Sequence, residues 1–365
     1  MNSKKKMFMY GGVIGLAAAI LMKFGNPGNM GMCIACFWRD IAGALGLHRA
    51  AVVQYIRPEI IGIVFGAFIV SYLTGDFKTR GGSSPLTRFI LGFFLMIGAL
   101  VFLGCPLRMI IRLANGDLNA LVALAGYIVG IFIGVQFLKK GYTLGKNYEQ
   151  AKIAGFLFPI FALVLLIFLV IKPAFILFST EGPGSMGAPV ILSLILGGVV
   201  GVALQRSRIC TAGGIRDMIL IKDSHFLWGI LGIFAFTLIG NLILNFEKIN
   251  IGFVGQPIGH NDFLFNFLGM ALVGLCSVLL GGCPIRQTIL ASQGDTDAGV
   301  TVFGLIVGAA FAHNFGMAAS GNGVPTNGKI GVIIGIVFVL IIAYSVVADQ
   351  KNKATKKSKE VSANV

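Results

Sequence analysis

The sequence predicts an all-α polytopic membrane protein made of two inverted-topology repeats, with re-entrant loops and half-helices forming an hourglass. Three observations predict it. The 365 residues are 56% hydrophobic and 12% charged, with mean hydropathy +0.89; no soluble domain needs so much apolar surface. About ten apolar segments are long enough to span a bilayer. The two halves also carry the same motifs at a nearly constant offset, which marks a duplication.

The spans come first. They are expected near 7–24, 58–74, 88–104, 119–138, 152–172, 187–204, 226–244, 263–281, 298–318 and 329–348. The repeat maps the first four onto spans six to nine. Residues 1–151 then form the first repeat, 152–186 a linking span, 187–328 the second repeat, and 329–365 a terminal span with a basic tail. The N-terminus has basic residues followed by an apolar run from Met7, like a signal peptide. No small-x-small cleavage site follows, so it reads as an uncleaved first span.

Charge sets the orientation. The net charge of +15 comes from Lys and Arg in loops and tails and from few Asp and Glu. Lys4-Lys5-Lys6, the Asp76–Arg88 loop, the Lys139–Lys152 loop and the Lys351–Lys359 tail all fall on one side, which the positive-inside bias makes cytoplasmic. With ten spans, both termini are cytoplasmic. Span one and its counterpart near 187 then run in opposite directions. No soluble basic face with interleaved aromatics exists, which argues against nucleic-acid binding.

Gly104-Cys105-Pro106-Leu107-Arg108 recurs as Gly282-Cys283-Pro284-Ile285-Arg286. Twelve residues beyond each Cys stands the Asp of a Gly-Asp step, Asp117 and Asp295. Gly126-x-x-x-Gly130 then matches Gly304-x-x-x-Gly308. The segment from Cys33 to Arg39-Asp40 matches that from Cys210 to Arg216-Asp217. The stretch from Asn26 to Asp40 is too apolar for a solvated loop and too short for a loop plus a full span. It reads as a re-entrant loop and half-helix, and Gln205–Ile221 as the same unit. Such backbone survives in a membrane where it is buried or lines a cavity.

These motifs point to chemistry. Pro favours the first helical position, which places Cys105 and Cys283 at helix caps. Free N–H groups there favour anions and thiolates, and Arg108 and Arg286 add full charge. A buried Arg in a span usually faces a cavity. The functional interpretation is an anion path lined by soft sulfur; the bland one is Cys-Pro as kink and packing residues with a snorkelling Arg. The duplication favours the first. Arg39 and Arg216 point away from their neighbours Asp40 and Asp217 on a helix. Arg39 therefore has two candidate roles, facing Asp217 or holding loop carbonyls, and the set reads mainly as a brace. Cys33 and Cys210 are candidates for lining the path.

Other signals weigh less. Cys33-x-x-Cys36 has redox or zinc spacing, but the repeat partner of Cys36 is Gly213, and no second pair stands at zinc spacing. No metal and no cofactor are expected. Cys276 reads as core. His48, His225, His260 and His313 are unrelated by the repeat, and His313 reads as a polar helix contact. The glycines read as helix-packing positions.

These motifs, over nearly the whole chain, resemble the YeeE/YedE family of bacterial sulfur-compound transporters. The resemblance implies a transporter in the inner membrane, not an enzyme, importing thiosulfate past central cysteines by S–H···S contacts. It places Cys33, Cys105 and Cys283 on that path, with Cys210 as a fourth thiol. It is strongest with the selenium-associated YedE branch, which implies a selenium species as an alternative substrate. A soft thiol and an Arg together would select a reduced chalcogen anion, whereas Arg alone would hold sulfate as well. The partners implied are small inorganic sulfur or selenium species, membrane lipids and a soluble cytoplasmic sulfur or selenium carrier. Two other classes remain open: a membrane thiol-redox protein using Cys33 and Cys36, and a subunit that docks a carrier through the Lys351–Lys359 tail.

Overall fold

The computed structural model describes residues 3–363, with side chains described through residue 353. The ends of the first and last expected segments, and most side chains of the Lys351–Lys359 tail, lie outside the described residues. Helices dominate. Among the described residues one ladder pairs Arg80–Gly81 (β1) with Tyr148–Glu149 (β2), a clip between two loops that the sequence did not suggest.

Long helices follow the hydropathy. They are α1 (Ser3–Lys23), α3 (Pro58–Leu73), α4 (Pro85–Phe102), α6 (Asn119–Lys139), α7 (Lys152–Ile171), α8 (Val190–Ser207), α10 (His225–Leu244), α11 (Phe263–Leu279), α13 (Thr296–Asn314) and α14 (Thr326–Ala363). Among the described residues, ten helical stretches are long and apolar enough to cross a bilayer. Pro58 and Pro85 open α3 and α4 at their first positions, where no backbone N–H is needed. Four short helices interrupt the series: α2 (Ile34–Ala44), α5 (Pro106–Ala114), α9 (Thr211–Ile221) and α12 (Pro284–Ser292).

Packing between the halves is reciprocal. α1 lies along α10, and α3 lies along α8; α6 lies along α11, and α4 along α13. Each pairing joins an element of one half to an element of the other, and the exchanged pair does the same. Glycine makes the approach possible. A Cβ on Gly11 would enter the carbonyl of Gly229 on α10, and one on Gly66 would enter that of Gly198 on α8. Close backbone approach of this kind drives helix association where lipid removes the hydrophobic incentive.

The outer helices present apolar side chains to the surroundings. On α7, Ile153, Leu157, Ile160 and Val170 are exposed, and on α14 Ile330, Ile333, Ile334 and Val337 are. A soluble protein rarely exposes contiguous apolar area on this scale; here it is the lipid-facing coat. Of the four short helices, α9 exposes Met218, Leu220 and Ile221 at its C-terminal end. α2 and α5 are almost entirely buried.

Candidate functional site

Each short helix begins at a cysteine. Cys33 caps α2, Cys105 caps α5, Cys210 caps α9 and Cys283 caps α12. Pro106 and Pro284 fix the first helical residue after Cys105 and Cys283. Cys33 and Cys210 use their sulfur as the cap: Cys33 Sγ accepts from Cys36 N at 3.3 Å, and Cys210 Sγ from Gly213 N at 3.3 Å. The sequence placed two thiols at caps; the structure has four. All six cysteines are free and buried, and Cys276 is core within α11.

The caps meet in pairs. Cys33 Sγ is 3.8 Å from Cys105 Sγ, and Cys210 Sγ is 3.5 Å from Cys283 Sγ. Each pair joins the re-entrant unit of one half to the Cys-Pro break of the same half. Cys36, discounted on the repeat, joins the first pair: its Sγ lies 2.9 Å from Cys33 Sγ. The four cap thiols are 0 to 6% exposed, so the space between them is closed to bulk solvent in this conformation.

The arginines diverge. Arg108 is fully buried and saturated. Its Nε donates to the Asn29 carbonyl at 2.7 Å, Nη2 to that of Ile258 at 3.0 Å, and Nη1 to the Leu103 carbonyl and to Cys36 Sγ, the latter at 3.4 Å. Arg286 is partly exposed, and its buried Nη1 has no hydrogen-bond partner. The Leu280 carbonyl, which matches the Phe102 carbonyl of the first half, accepts from Gln287 Nε2 at 3.1 Å. Arg286 is close enough to Cys210, Cys283, Arg208 and Arg80 to interact with their charge.

Arg39 and Arg216 pair with their sequence neighbours, contrary to expectation. Arg39 Nε donates to Asp40 Oδ1 at 2.8 Å, and Arg216 Nε to Asp217 Oδ1 at 2.8 Å. A long side chain folds back over one helical turn, so adjacent residues meet although their Cβ atoms diverge. Asp40 is shared with Arg57, whose Nε donates to Oδ2 at 2.6 Å. Arg57 then holds the Met186 and Pro183 carbonyls at 2.9 and 2.7 Å. The first set is sealed, with Arg57 and Asp40 at 0% exposure, whereas Arg216 is 28% exposed.

Sequence reasoning missed several supports. Arg112 lies one turn beyond Arg108. It donates to Asp117 Oδ2 at 2.6 Å and to the Phe102 carbonyl at 2.8 Å. The repeated Gly-Asp step was the signal, since its second copy, Asp295, pairs with Arg80 at 3.0 Å and caps α13 through Ala298 N at 3.0 Å. A chain of buried amides, Asn29, Asn115, Asn241 and Asn245, runs beside the first motif. Glu59 is buried, held by Asn26 Nδ2 at 2.7 Å, with Oε2 unpaired. No pattern in the sequence marked these residues. His313 makes no polar helix contact: its ring stacks on His48 of the loop after α2, 4.5 Å between centroids, and its Nε2 has no hydrogen-bond partner. Among the described residues no cluster of three or more His, Cys, Asp or Glu is arranged to hold a metal.

The chemical capacity of the arrangement follows from its parts. The helix N-termini meet in two pairs, with a polarizable sulfur at each. Backbone N–H groups and helix dipoles favour negative charge there, and sulfur suits a soft atom. At the second motif the buried Nη1 of Arg286 has no hydrogen-bond partner, whereas Arg108 at the first is fully engaged.

Comparison with known proteins agrees with this chemistry. Residues 206–364 match the family described as sulphur transport, a stretch that contains Cys210, Arg216, Cys283 and Arg286. The chain is 28% identical over 122 residues to the thiosulfate transporter TsuA of Escherichia coli (strain K12), covering 33% of this chain and 34% of that protein. It is 31% identical over 105 residues to the thiosulfate transporter TsuA of Spirochaeta thermophila, covering 29% of this chain and 31% of that protein. The chain thus matches about a third of the length of these curated relatives.

Proposed function

We propose that the chain, whose residues 206–364 match the family described as sulphur transport, is a YeeE/YedE-type transporter that imports a reduced sulfur or selenium anion across the inner membrane. A thiosulfate-like ion is the first candidate, since TsuA is a thiosulfate transporter; a selenium species is the second. The observation that carries the proposal is the meeting of four helix-capping thiols in two pairs, 3.8 and 3.5 Å apart.

The mechanism follows from the geometry. A thiol is a weak donor and a weak acceptor. It binds a terminal sulfur or selenium loosely and releases it quickly, which suits passage from one thiol to the next. The helix N-termini stabilise the anion while water is excluded. Sulfate, with hard oxygens only, gains nothing from the thiols. Because all four thiols are buried, each step needs a local opening of the loops around them, not a whole-domain movement. Arg286 supplies attraction at the second pair. Arg108 acts differently: it pins the 26–31 loop and the 258 carbonyl over the first pair.

The reciprocal packing of α1 with α10 and α3 with α8 supports two inverted repeats around an hourglass waist, with boundaries near 151 and 187. The basic loops support cytoplasmic termini. A soluble carrier at the cytoplasmic face would receive the ion. Uptake into proteoliposomes of labelled thiosulfate, selenite and hydroselenide, each with excess sulfate, tests the proposal. Saturable uptake of at least one, resistant to sulfate, is expected; leakage no faster than through protein-free vesicles for all three would refute it. Labelling of single engineered cysteines in the Asp76–Arg88 and Asn245–Asp262 loops tests the inversion, which fails if both loops react from one side.

A further inference from the structure

Cys36 has no place in the duplicated design, because Gly213 stands at the matching position. Yet it is closer to a path thiol than any other cysteine, 2.9 Å from Cys33 Sγ against 3.8 Å for Cys105. Arg108 Nη1 lies 3.4 Å from its sulfur. Cys33 Sγ in turn accepts the Cys36 N–H at 3.3 Å. Two thiols in contact, one turn apart at a helix N-terminus, form a dithiol placed for disulfide formation.

The burial of the pair limits what can oxidise it. Both residues are 0% exposed, so a bulky disulfide or a soluble thiol oxidase has no access. The species that reaches this point, on the transport proposal above, is the small sulfur anion itself. We propose that Cys33 and Cys36 form a modification site at which a sulfane-sulfur anion such as thiosulfate drives disulfide formation, and that the disulfide stops transport.

The chemistry balances in two steps. Cys33 Sγ attacks the sulfane sulfur of thiosulfate; the new S–S bond forms as the bond to the sulfonate sulfur breaks. That electron pair leaves with sulfite, which takes the Cys33 proton as hydrogensulfite. Cys36 Sγ then attacks Cys33 Sγ. The Cys33–Cys36 bond forms, and the outer sulfur departs with its electron pair and the Cys36 proton as hydrosulfide. Two thiols are oxidised to one disulfide, and the sulfane sulfur is reduced to hydrosulfide. The second half contains no equivalent of Cys36 beside Cys210, so the latch belongs to the first half. Once formed, it removes the Cys33 thiol from its contact with Cys105 until a thiol small enough to follow the anion's path reduces it.

This inference rests on the proposed function, and the experiment separates the two. Reduced full-length protein in detergent is exposed to thiosulfate, or to sulfate as a control, alkylated and digested. The peptide containing Cys33 and Cys36 is then weighed, released hydrosulfide is measured, and uptake is followed in vesicles of the same preparation. Wild type should lose two hydrogens on that peptide with thiosulfate only, releasing one hydrosulfide per disulfide. Cys36→Ala, and Cys36→Ser as a size-matched second variant, should instead retain one extra sulfur on Cys33. Fully alkylatable thiols in wild type that still transports would overturn this inference and leave the transport proposal standing. Equal oxidation with sulfate would also overturn it, since air would then be the oxidant. A thiosulfate-specific disulfide whose reduction restores no uptake would uphold the disulfide chemistry and count against the transport proposal.

Discussion

The two Gly-Cys-Pro-x-Arg motifs have the same local design and different arginines. In both, Pro fixes the start of a short helix and Cys caps it. Arg108 is then consumed by carbonyls from three separate segments, whereas Arg286 keeps a buried Nη1 without a partner. The difference comes from the neighbours. Leu103 ends α4 in the left-handed region at φ 61°, and its carbonyl is held by Arg108. Gly281 occupies the matching place at φ 79°, and the nearby Leu280 carbonyl goes to Gln287. A duplicated motif therefore fixes the cap, while the surrounding loops decide whether its charge is structural or free to meet an anion.

The largest expected effect is on Arg108. Arg108→Gln leaves three buried carbonyls without this donor, and each orphaned acceptor costs about 1–3 kcal/mol. Folded protein in the membrane should fall sharply, and Arg108→Lys should fail nearly as badly because one ammonium cannot replace the fork. Abundance measured alongside uptake checks this; normal abundance with reduced affinity in Arg108→Gln would make Arg108 a substrate residue and erase the contrast.

Arg286 should behave in the opposite way. Arg286→Gln should keep abundance and raise the apparent KM about fivefold, the effect of roughly 1 kcal/mol of attraction at a partly screened site. Arg286→Lys should recover part of it. The measurement is the concentration dependence of uptake, and loss of abundance in step with uptake would show that this arginine also holds the fold.

A smaller effect tests the backbone side of the comparison. A Cβ at Gly281 meets nothing within 4 Å, so Gly281→Ala isolates the cost of a left-handed residue, about 1–2 kcal/mol. The thermal midpoint should drop by a few degrees; an unchanged midpoint would mean that the Leu103 conformation carries no strain either.

The smallest concerns His48, which lies outside the long spans beside His313 and the Arg39–Asp40 pair. Burial lowers its pKa below the ordinary 6.5. The unfolded chain then binds a proton more readily than the folded one below pH 6.5. Stability is fully present above that value and is lost as pH falls through the lowered folded value. The thermal midpoint should decline on acidification from about pH 7 to about pH 5, with a shallower slope in His48→Gln. An equal slope in both proteins would remove His48 as the cause.

Much of this was legible in the sequence. Hydropathy located the long helices within a few residues, because lipid allows only self-satisfied helices, except that α14 runs on to Ala363, beyond the expected end at 348. Pro after Cys marked two caps. The other two, at Cys33 and Cys210, lacked a Pro and went unmarked. The duplication that revealed the cysteines also hid Cys36, whose partner is Gly213; a residue at i+3 from a cap is within reach whether or not its counterpart is a cysteine. The fate of Arg108 was not legible, since its acceptors Asn29 and Ile258 lie 79 and 150 residues away in sequence. Arg39 with Asp40 was misjudged from Cβ directions, which bound short side chains but not a guanidinium.

The account depends most on the capped thiols carrying the anion. Uptake of labelled thiosulfate into proteoliposomes should therefore be measured for wild type, Cys105→Ala and Cys283→Ala at matched protein content. Both variants should retain about a tenth or less of wild-type uptake, the loss produced by removing roughly 1.4 kcal/mol or more of stabilisation along the path. Near-normal uptake in both would contradict the account and leave Cys-Pro as a helix start and nothing more.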